Sequence, residues 1–101
     1  MSSNNTISLY IRDTENVLFD GKVDRISSYN EVGPFDVYPM HANFISIIHK
    51  SISVYSSGKL VKHFDIDQSI LKVKHDQVNV FLGIESLLLR EEKEMRRVTK
   101  S

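Results

Sequence analysis

The sequence contains no cysteine, and this absence excludes several kinds of stabilisation and chemistry at once. Without thiols the chain forms no disulfide, no thiolate zinc site and no cysteine nucleophile. Its 101 residues must therefore fold around one modest hydrophobic core without covalent cross-links. A hydrophobic share of 41% and a charged share of 26% are typical of a soluble globular domain and too apolar for a disordered chain.

An excess of charge of either sign is also lacking, because 13 lysine and arginine residues balance 13 aspartate and glutamate residues. A nucleic-acid clamp and a polybasic membrane-surface binder both need a basic excess, so neither class is expected. The longest apolar runs are Phe44–Ile48, which Ser46 interrupts, and Leu87–Leu89. Runs this short predict no membrane-inserted segment. The polar start Met1–Asn5 predicts no signal peptide.

Short segments of alternating apolar and polar residues dominate the rest of the sequence. In the first segment, Ile7, Leu9 and Ile11 fall on one face of a strand. Turn signals separate the segments, notably at Asp65–Ser69 and at the hairpin pair Ser57-Gly58. About 8–10 short strands predict a mainly β fold, an antiparallel β-sandwich or barrel. The predicted strands are Ile7–Ile11, Val17–Phe19, Val23–Ser28, Phe35–Tyr38, Phe44–Ile48, Ser51–Tyr55, Leu60–Phe64, Ile70–Val73 and Val78–Leu82.

The composition changes after Gly83, where residues that favour helices replace the alternating pattern. Acidic residues come early in this segment, whereas Arg96, Arg97 and Lys100 come late, which suits the helix dipole. The sequence therefore predicts a β-sandwich domain over residues 1–84 and one short C-terminal helix over residues 85–101.

No pattern of polar residues predicts catalysis, a cofactor or a metal site. The four histidines lack the spacing of a helical metal site, and no motif of a nucleophilic serine surrounds any serine. Asp65-Ile66-Asp67 opens like a calcium loop but lacks the glycine and the closing glutamate, so a hairpin turn explains it better. The residues indicate a noncatalytic β-domain that acts through its surface.

One segment carries a specific resemblance. Gly33–Ile48, with Pro39 and His41 ahead of an apolar strand, resembles the signature of the epsilon subunit of F-type ATP synthases, called delta in mitochondria. Val17–Ile26 resembles the opening of that family, and Ile70–Leu82 resembles its closing hairpin. The resemblance covers residues 7–85 and implies the family's ten-stranded β-sandwich.

The resemblance also implies a role and partners. A family member is a noncatalytic central-stalk subunit that binds the gamma subunit and the ring of c subunits, and contacts the catalytic alpha and beta subunits indirectly. It would lie peripherally at the cytoplasmic face of a bacterial inner membrane. By position in the motif, Glu31, Pro34 and His41 are the candidate contacts with the ring and gamma. A purely structural role for His41 in its turn is an equally good interpretation.

The sequence departs from the family in its turns and in its length. Met40 stands where the family often has glycine or asparagine, and Asp67-Gln68-Ser69 replaces a Ser-Gly-Gly turn. Asp36 stands where the family usually has glycine, and only residues 86–101 follow the sandwich, where typical bacterial members continue into two helices. An inhibitory helical hairpin and ATP sensing are therefore not expected.

Two interpretations from other classes stay open. A free-standing sandwich that binds a protein or peptide along an edge strand is the main alternative, and a hydrolase with a deep pocket is more remote. The stalk and adaptor interpretations both predict an exposed apolar surface. Only the stalk interpretation predicts that surface beside the Glu31–Asn43 region.

Overall fold

A computed structural model describes residues 6–83 and contains seven β-strands in one open sheet. The predicted mainly β fold is confirmed. The order across the sheet is β2-β1-β7-β6-β5-β3-β4, so β2 and β4 form its edges. The strands are β1 (Ile7–Arg12), β2 (Val17–Val23), β3 (Arg25–Asn30), β4 (Gly33–Val37), β5 (Phe44–Ser56), β6 (Lys59–Lys74) and β7 (Gln77–Leu82).

The number of strands is lower than the predicted 8–10, because two pairs of predicted strands are continuous. β5 joins the segments predicted as Phe44–Ile48 and Ser51–Tyr55, and β6 runs through the predicted turn at Asp65–Ser69. In the register of these strands, His49 faces Gln68 and Lys50 faces Ile66, so Asp67 is an extra residue. A β-bulge therefore replaces the turn, since an extra residue bends a strand without ending it.

The prediction of a wholly antiparallel sheet is also corrected. β1 pairs with β7 in parallel, with Leu9 opposite Val78 and Ile11 opposite Val80, while the other pairs are antiparallel. Side chains alternate with a period of two in either arrangement, so the sequence pattern carried no information about direction.

The sheet folds over itself to enclose one core. β2 contacts β5 although three strands separate them in the sheet order, so the two halves of the sheet pack face to face. Aromatic side chains on alternating strands usually face inward. The rings of Phe19, Phe35 and Phe44 do pack against this core, whereas Tyr10 is not among the core side chains. The buried cluster is Ile7, Leu9, Ile11, Val23, Ile26, Val37, Ile48, Ile52, Val54, Leu71, Val73, Val78 and Val80.

Tight turns connect the strands at two places that bear on the functional surface. The predicted hairpin at Ser57-Gly58 is present, and both residues have positive φ, 54° and 75°. The connection between β3 and β4 is equally short, because Pro34 already lies in edge strand β4 opposite Tyr29. Proline is compatible with an edge strand, since no neighbour needs its missing N–H.

The described strands end at Leu82. The helix predicted over residues 85–101 lies outside the described residues, so the boundary between residues 1–84 and 85–101 stays a prediction.

Candidate partner-binding surface

The turn between β3 and β4 presents the first candidate residue, Glu31. Asn30 shapes this turn, because its Oδ1 accepts hydrogen bonds from the backbone N–H of Val32 at 3.0 Å and of Gly33 at 3.3 Å. An asparagine side chain that bonds its own backbone two residues on is a common way to form a tight turn. Glu31 is exposed at the tip, and the neighbouring Val32 is 92% exposed.

The loop between β4 and β5 is tied to the turn between β6 and β7. The backbone N–H of Met40 donates to Asp76 Oδ1 at 2.6 Å, and the backbone N–H of His75 donates to Asn43 Oδ1 at 2.9 Å. Met40 has a φ of 67°, in the left-handed region that a non-glycine residue adopts at some cost. The two tethers hold the loop in one conformation and leave Met40 80% exposed.

His41 lies in this loop with one face against an aromatic ring. Its imidazole centroid is 4.9 Å from that of Phe44, and its Nδ1 lies 2.8 Å from the carbonyl oxygen of Ala42. A carbonyl only accepts, so Nδ1 carries the proton and Nε2 remains for a partner. Phe44 in turn makes an edge-to-face contact with Phe35, with centroids 6.0 Å apart.

The three predicted contact residues therefore lie around the N-terminal half of β5, and two of them adjoin the aromatic pair Phe35 and Phe44. Pro34 is exposed and adjacent to Phe35 in β4, and His41 reaches the same region through Phe44. Glu31 lines a shallow groove on the other side of the strand. That these residues bind a partner stays a prediction.

Exposed apolar side chains concentrate in the same region. Within residues 6–83, five of the eight exposed large hydrophobic residues fall between positions 32 and 47. We call Val32, Ile45 and Ile47 the apolar patch, since they line one groove together with Asn30, Glu31 and Ser46. Ile45 is 66% exposed and Ile47 is 48% exposed. An exposed cluster of this kind marks an interaction surface more often than scattered single residues do.

The sequence pattern pointed to the strand of the patch but not to its exposure. The apolar run at Phe44–Ile48 is typical of a buried strand, but only one face of this strand is covered. Ile48 is buried, whereas Ile45 and Ile47 face outward. The cross-strand neighbour of Ile45 is the exposed Lys72, so no second layer covers that face within residues 6–83.

A second cluster, on β3, β4 and β5, combines an arginine with two tyrosines. The Arg25 guanidinium lies 3.8 Å from the centre of the Tyr55 ring, a cation–π contact. A hydrogen bond with the Tyr38 side chain raises the pKa of Arg25 above its ordinary value, and Asp36 adds to the effect by its negative charge. Tyr38 also donates its hydroxyl proton to Asp36 Oδ2 at 3.4 Å.

Ser53, His63 and Asp65 form a hydrogen-bonded chain that the sequence did not predict. Ser53 Oγ lies 2.8 Å from His63 Nδ1, and His63 Nε2 lies 3.3 Å from Asp65 Oδ1. The register of β5 and β6 brings them together, since Ser53 is directly opposite His63. The histidine is 47% exposed and the aspartate 93% exposed, so water competes for every group in the chain. We interpret it as a cross-strand pair of a sheet surface.

Residues 6–83 lack the features of a metal centre and of a membrane-spanning helix. In residues 6–83, no group of three histidine, cysteine, aspartate or glutamate side chains has the arrangement to hold a metal ion. No helix in that part of the chain is long and apolar enough to cross a membrane.

The family model of the ATP synthase delta/epsilon chain, β-sandwich domain, matches residues 6–83. The match includes every described strand and the whole surface around the apolar patch. The chain belongs to this family. The resemblance carried by Gly33–Ile48 is therefore confirmed, and the single folded sheet is this chain's form of the family's sandwich.

Two solved structures share the fold of this chain at low sequence identity. A chain of the mitochondrial ATP synthase of Euglena gracilis (OSCP/F1/c-ring, rotational state 1) matches with a TM-score of 0.71 and 16% identity. A chain of the Tetrahymena thermophila mitochondrial ATP synthase central stalk and c-ring matches with a TM-score of 0.63 and 7% identity. The matches cover 77% and 75% of this chain, but only 51% and 62% of those chains. No curated protein is significantly similar in sequence.

Proposed function

We propose that this delta/epsilon-family chain is a noncatalytic central-stalk subunit of an F-type ATP synthase. It contacts the gamma subunit and the ring of c subunits, couples ion flow to rotation, and leaves ATP synthesis to the alpha and beta subunits. Both matched structures are of ATP synthase assemblies that include the c-ring, which supports the choice of partner. Such a subunit would lie peripherally on a membrane-bound complex.

The observation that carries the proposal is the position of the apolar patch. Val32 lies within the Glu31–Asn43 region that the family resemblance assigned to partner contact, and Ile45 and Ile47 lie just beyond it in the groove that Glu31 also lines. Covering such a side chain with a partner stabilises the complex by up to about 1.5–3 kcal/mol for each residue that passes from full exposure to full burial. Glu31, Pro34 and His41 are the proposed polar and shape-defining contacts at the rim.

Rigidity of this surface suits the transmission of torque. Asp76 and Asn43 tether the loop at both ends, and Phe35 and Phe44 pack beneath it on the core. Close-packed interiors deform little under load, so a force applied at the loop reaches the rest of the sheet. The tethers also reduce the conformational entropy that binding would otherwise remove.

The alternative, an adaptor that adds a partner's strand to a free edge, has less support. Edge strand β4 contains Pro34, which lacks a backbone donor, and edge strand β2 exposes Asp20 and Lys22. Prolines and charges are the usual means by which proteins block strand addition at an edge.

An affinity purification with patch variants tests the proposal. The full chain is expressed in its native organism with an N-terminal tag, and complexes are purified from gently solubilised membranes. We expect gamma, alpha and beta subunits to copurify in a fixed ratio with the wild-type chain. The double variant Ile45→Ser, Ile47→Ser should lose them, because it removes the apolar contact, while His41→Ala should weaken recovery without abolishing it.

Val17→Ser is the matched control, since Val17 is 53% exposed on β2, away from the patch. It should copurify the same subunits as the wild type. Thermal melts of each purified variant identify any loss through misfolding. A wild-type chain that copurifies no synthase subunit would refute the stalk assignment, whereas unchanged recovery with the patch variant would refute the assigned surface.

A further inference from the structure

The hairpin between β5 and β6 extends past the body of the sheet. Every residue from Ser57 to His63 is exposed, although a strand packed on a core alternates between buried and exposed positions. Leu60 is 55% exposed and its neighbour Val61 is 47% exposed. We call residues 57–62 the hairpin tip. Both of its faces meet solvent, and it carries two apolar side chains that stay about half exposed.

The hairpin tip is held firmly at its base. The backbone N–H of Ser57 donates to Asp24 Oδ2 at 2.6 Å, and the backbone N–H of Asp24 donates to the Tyr55 carbonyl oxygen at 3.0 Å. The guanidinium of Arg25 covers the ring of Tyr55. A projecting element that is already ordered loses little entropy when it binds, which favours a docking role over that of a loose connection.

The charged side chains of the tip itself have one sign. From Lys50 to Phe64 the sequence contains no aspartate or glutamate, and Lys59 and Lys62 flank the apolar pair. Two carboxylates lie at the base of the tip, where Asp24 accepts from the Ser57 N–H and Asp65 contacts His63. The tip is therefore a cationic element with an apolar centre, complementary to an acidic surface that contains an apolar cleft.

We propose that the hairpin tip is a second docking element, which inserts into an acidic, apolar-lined cleft on a neighbouring protein subunit. A cleft fits better than a flat surface, because Leu60 and Val61 are exposed on a tip that meets solvent on both faces. The tip and the apolar patch lie at opposite ends of β5, whose 13 residues give up to roughly 40 Å of strand path. The chain thus bridges two neighbouring subunits, and this inference rests on the proposed stalk function.

A protein cleft accords with this layout better than a lipid surface does. If the apolar patch faces the membrane-embedded ring, the opposite end of β5 points toward the parts of the assembly farther from the bilayer. An anionic membrane would otherwise attract the same combination of lysines and apolar side chains. Lipid binding is therefore the competing outcome that the experiment must separate.

The test measures rebinding of the full chain to the cognate synthase complex from which this subunit has been removed. Three chains are compared: wild type, Lys59→Glu with Lys62→Glu, and Leu60→Ser with Val61→Ser. We expect each double variant to raise the Kd about tenfold or more, and the charge-reversed chain to lose the salt dependence of the wild-type association rate. Lys22→Glu with Lys74→Glu, two exposed lysines elsewhere, is the matched control and should change the Kd less than about threefold.

Each result has a distinct meaning. If the wild type rebinds and both tip variants rebind equally well, the tip inference is wrong while the stalk function stands. If the wild type does not rebind at all, the stalk function fails and the inference built on it fails too. Lipid binding is tested by sedimentation with vesicles of equal parts phosphatidylcholine and phosphatidylserine. If the wild type binds these vesicles and the tip variants do not, the partner of the tip is a lipid surface and the inference of a protein cleft is wrong.

Discussion

Asp13 illustrates how one exposed side chain organises a connection in this fold. Its Oδ1 accepts hydrogen bonds from the backbone N–H of Glu15 at 2.8 Å and of Asn16 at 2.7 Å, which closes the turn between β1 and β2. These two bonds favour the charged carboxylate and lower the pKa of Asp13 below its ordinary value. The polar composition of residues 13–16 indicates a turn, but it does not indicate which residue closes that turn.

The lowered pKa of Asp13 gives a stability effect with a defined sign. The folded-state pKa lies below the unfolded one, so the contribution is present above the unfolded pKa and lost as pH falls through the folded pKa. Asp13→Asn keeps an acceptor but cannot titrate, so the smaller contribution of its side chain to the free energy of unfolding should not change with pH. Urea unfolding of both chains is measured from about pH 6 to about pH 2. The free energy of unfolding should be larger for the wild type at about pH 6, and the difference between the two chains should shrink as the pH falls.

Other carboxylates titrate equally in both chains and cancel in that difference. Asp13→Ala, which removes the acceptor, is the control and should be less stable than either chain at about pH 6. A difference between wild type and Asp13→Asn that stays constant across the range would contradict the assignment of the shift to this turn.

At the scale of elements, the hairpin between β5 and β6 depends on left-handed backbone at two consecutive residues. Ser57 and Gly58 have φ values of 54° and 75°, the combination that a two-residue turn between twisted strands favours. Glycine adopts this conformation without strain, and asparagine adopts it more readily than serine does. A Cβ added at Gly58 would meet no atom within 4 Å, so backbone strain alone decides the effect of a substitution there.

Two substitutions in this turn should therefore act in opposite directions. Ser57→Asn should raise the free energy of unfolding by a few tenths of a kcal/mol, and Gly58→Ala should lower it by about 1 kcal/mol. For a chain of this size, a change of 1 kcal/mol moves the Tm by roughly 4–8 °C. Thermal unfolding monitored by circular dichroism checks both. A rise in Tm for Gly58→Ala would show that the turn has another geometry in solution.

Bulges decide the shape of the two longest strands. Lys50 has a φ of 75° in the middle of β5, and Asp67 is the extra residue of β6 at the same level of the sheet. The bend they produce lets one pair of strands contribute to both halves of the sheet. The sequence shows polar residues at these positions, which a turn explains equally well, so the continuous strands were not predictable from it.

For the whole molecule, all the buried hydrophobic residues of the described core lie between Ile7 and Val80. Core burial is the main favourable term in folding, so we expect a chain truncated after Gly83 to fold on its own. It should unfold cooperatively, with a Tm within roughly 5 °C of the full chain. Calorimetry of both chains measures this. A broad, noncooperative transition in the truncated chain would mean that residues 84–101 complete the core.

The functional surface is likewise a property of the whole molecule. The sequence predicted Glu31, Pro34 and His41 through the family resemblance, and these residues lie around the first half of β5. The sequence did not predict that Ile45 and Ile47 are exposed, because an apolar run does not reveal which of its residues face solvent. Burial of one face depends on whether another layer of the sheet covers it, and that is decided by strand order.

The sequence by itself determined the class of fold, the segments that form the core strands, the hairpin turn at Ser57-Gly58 and the family. These follow from short-range rules: alternation with a period of two, the φ preferences of turn residues, and a motif of contiguous residues. Only the tertiary structure decided the parallel pairing of β1 with β7, the continuity of β5 and β6, and the exposure of the apolar patch and the hairpin tip. Each of these depends on contacts between segments far apart in the chain, which local sequence patterns do not specify.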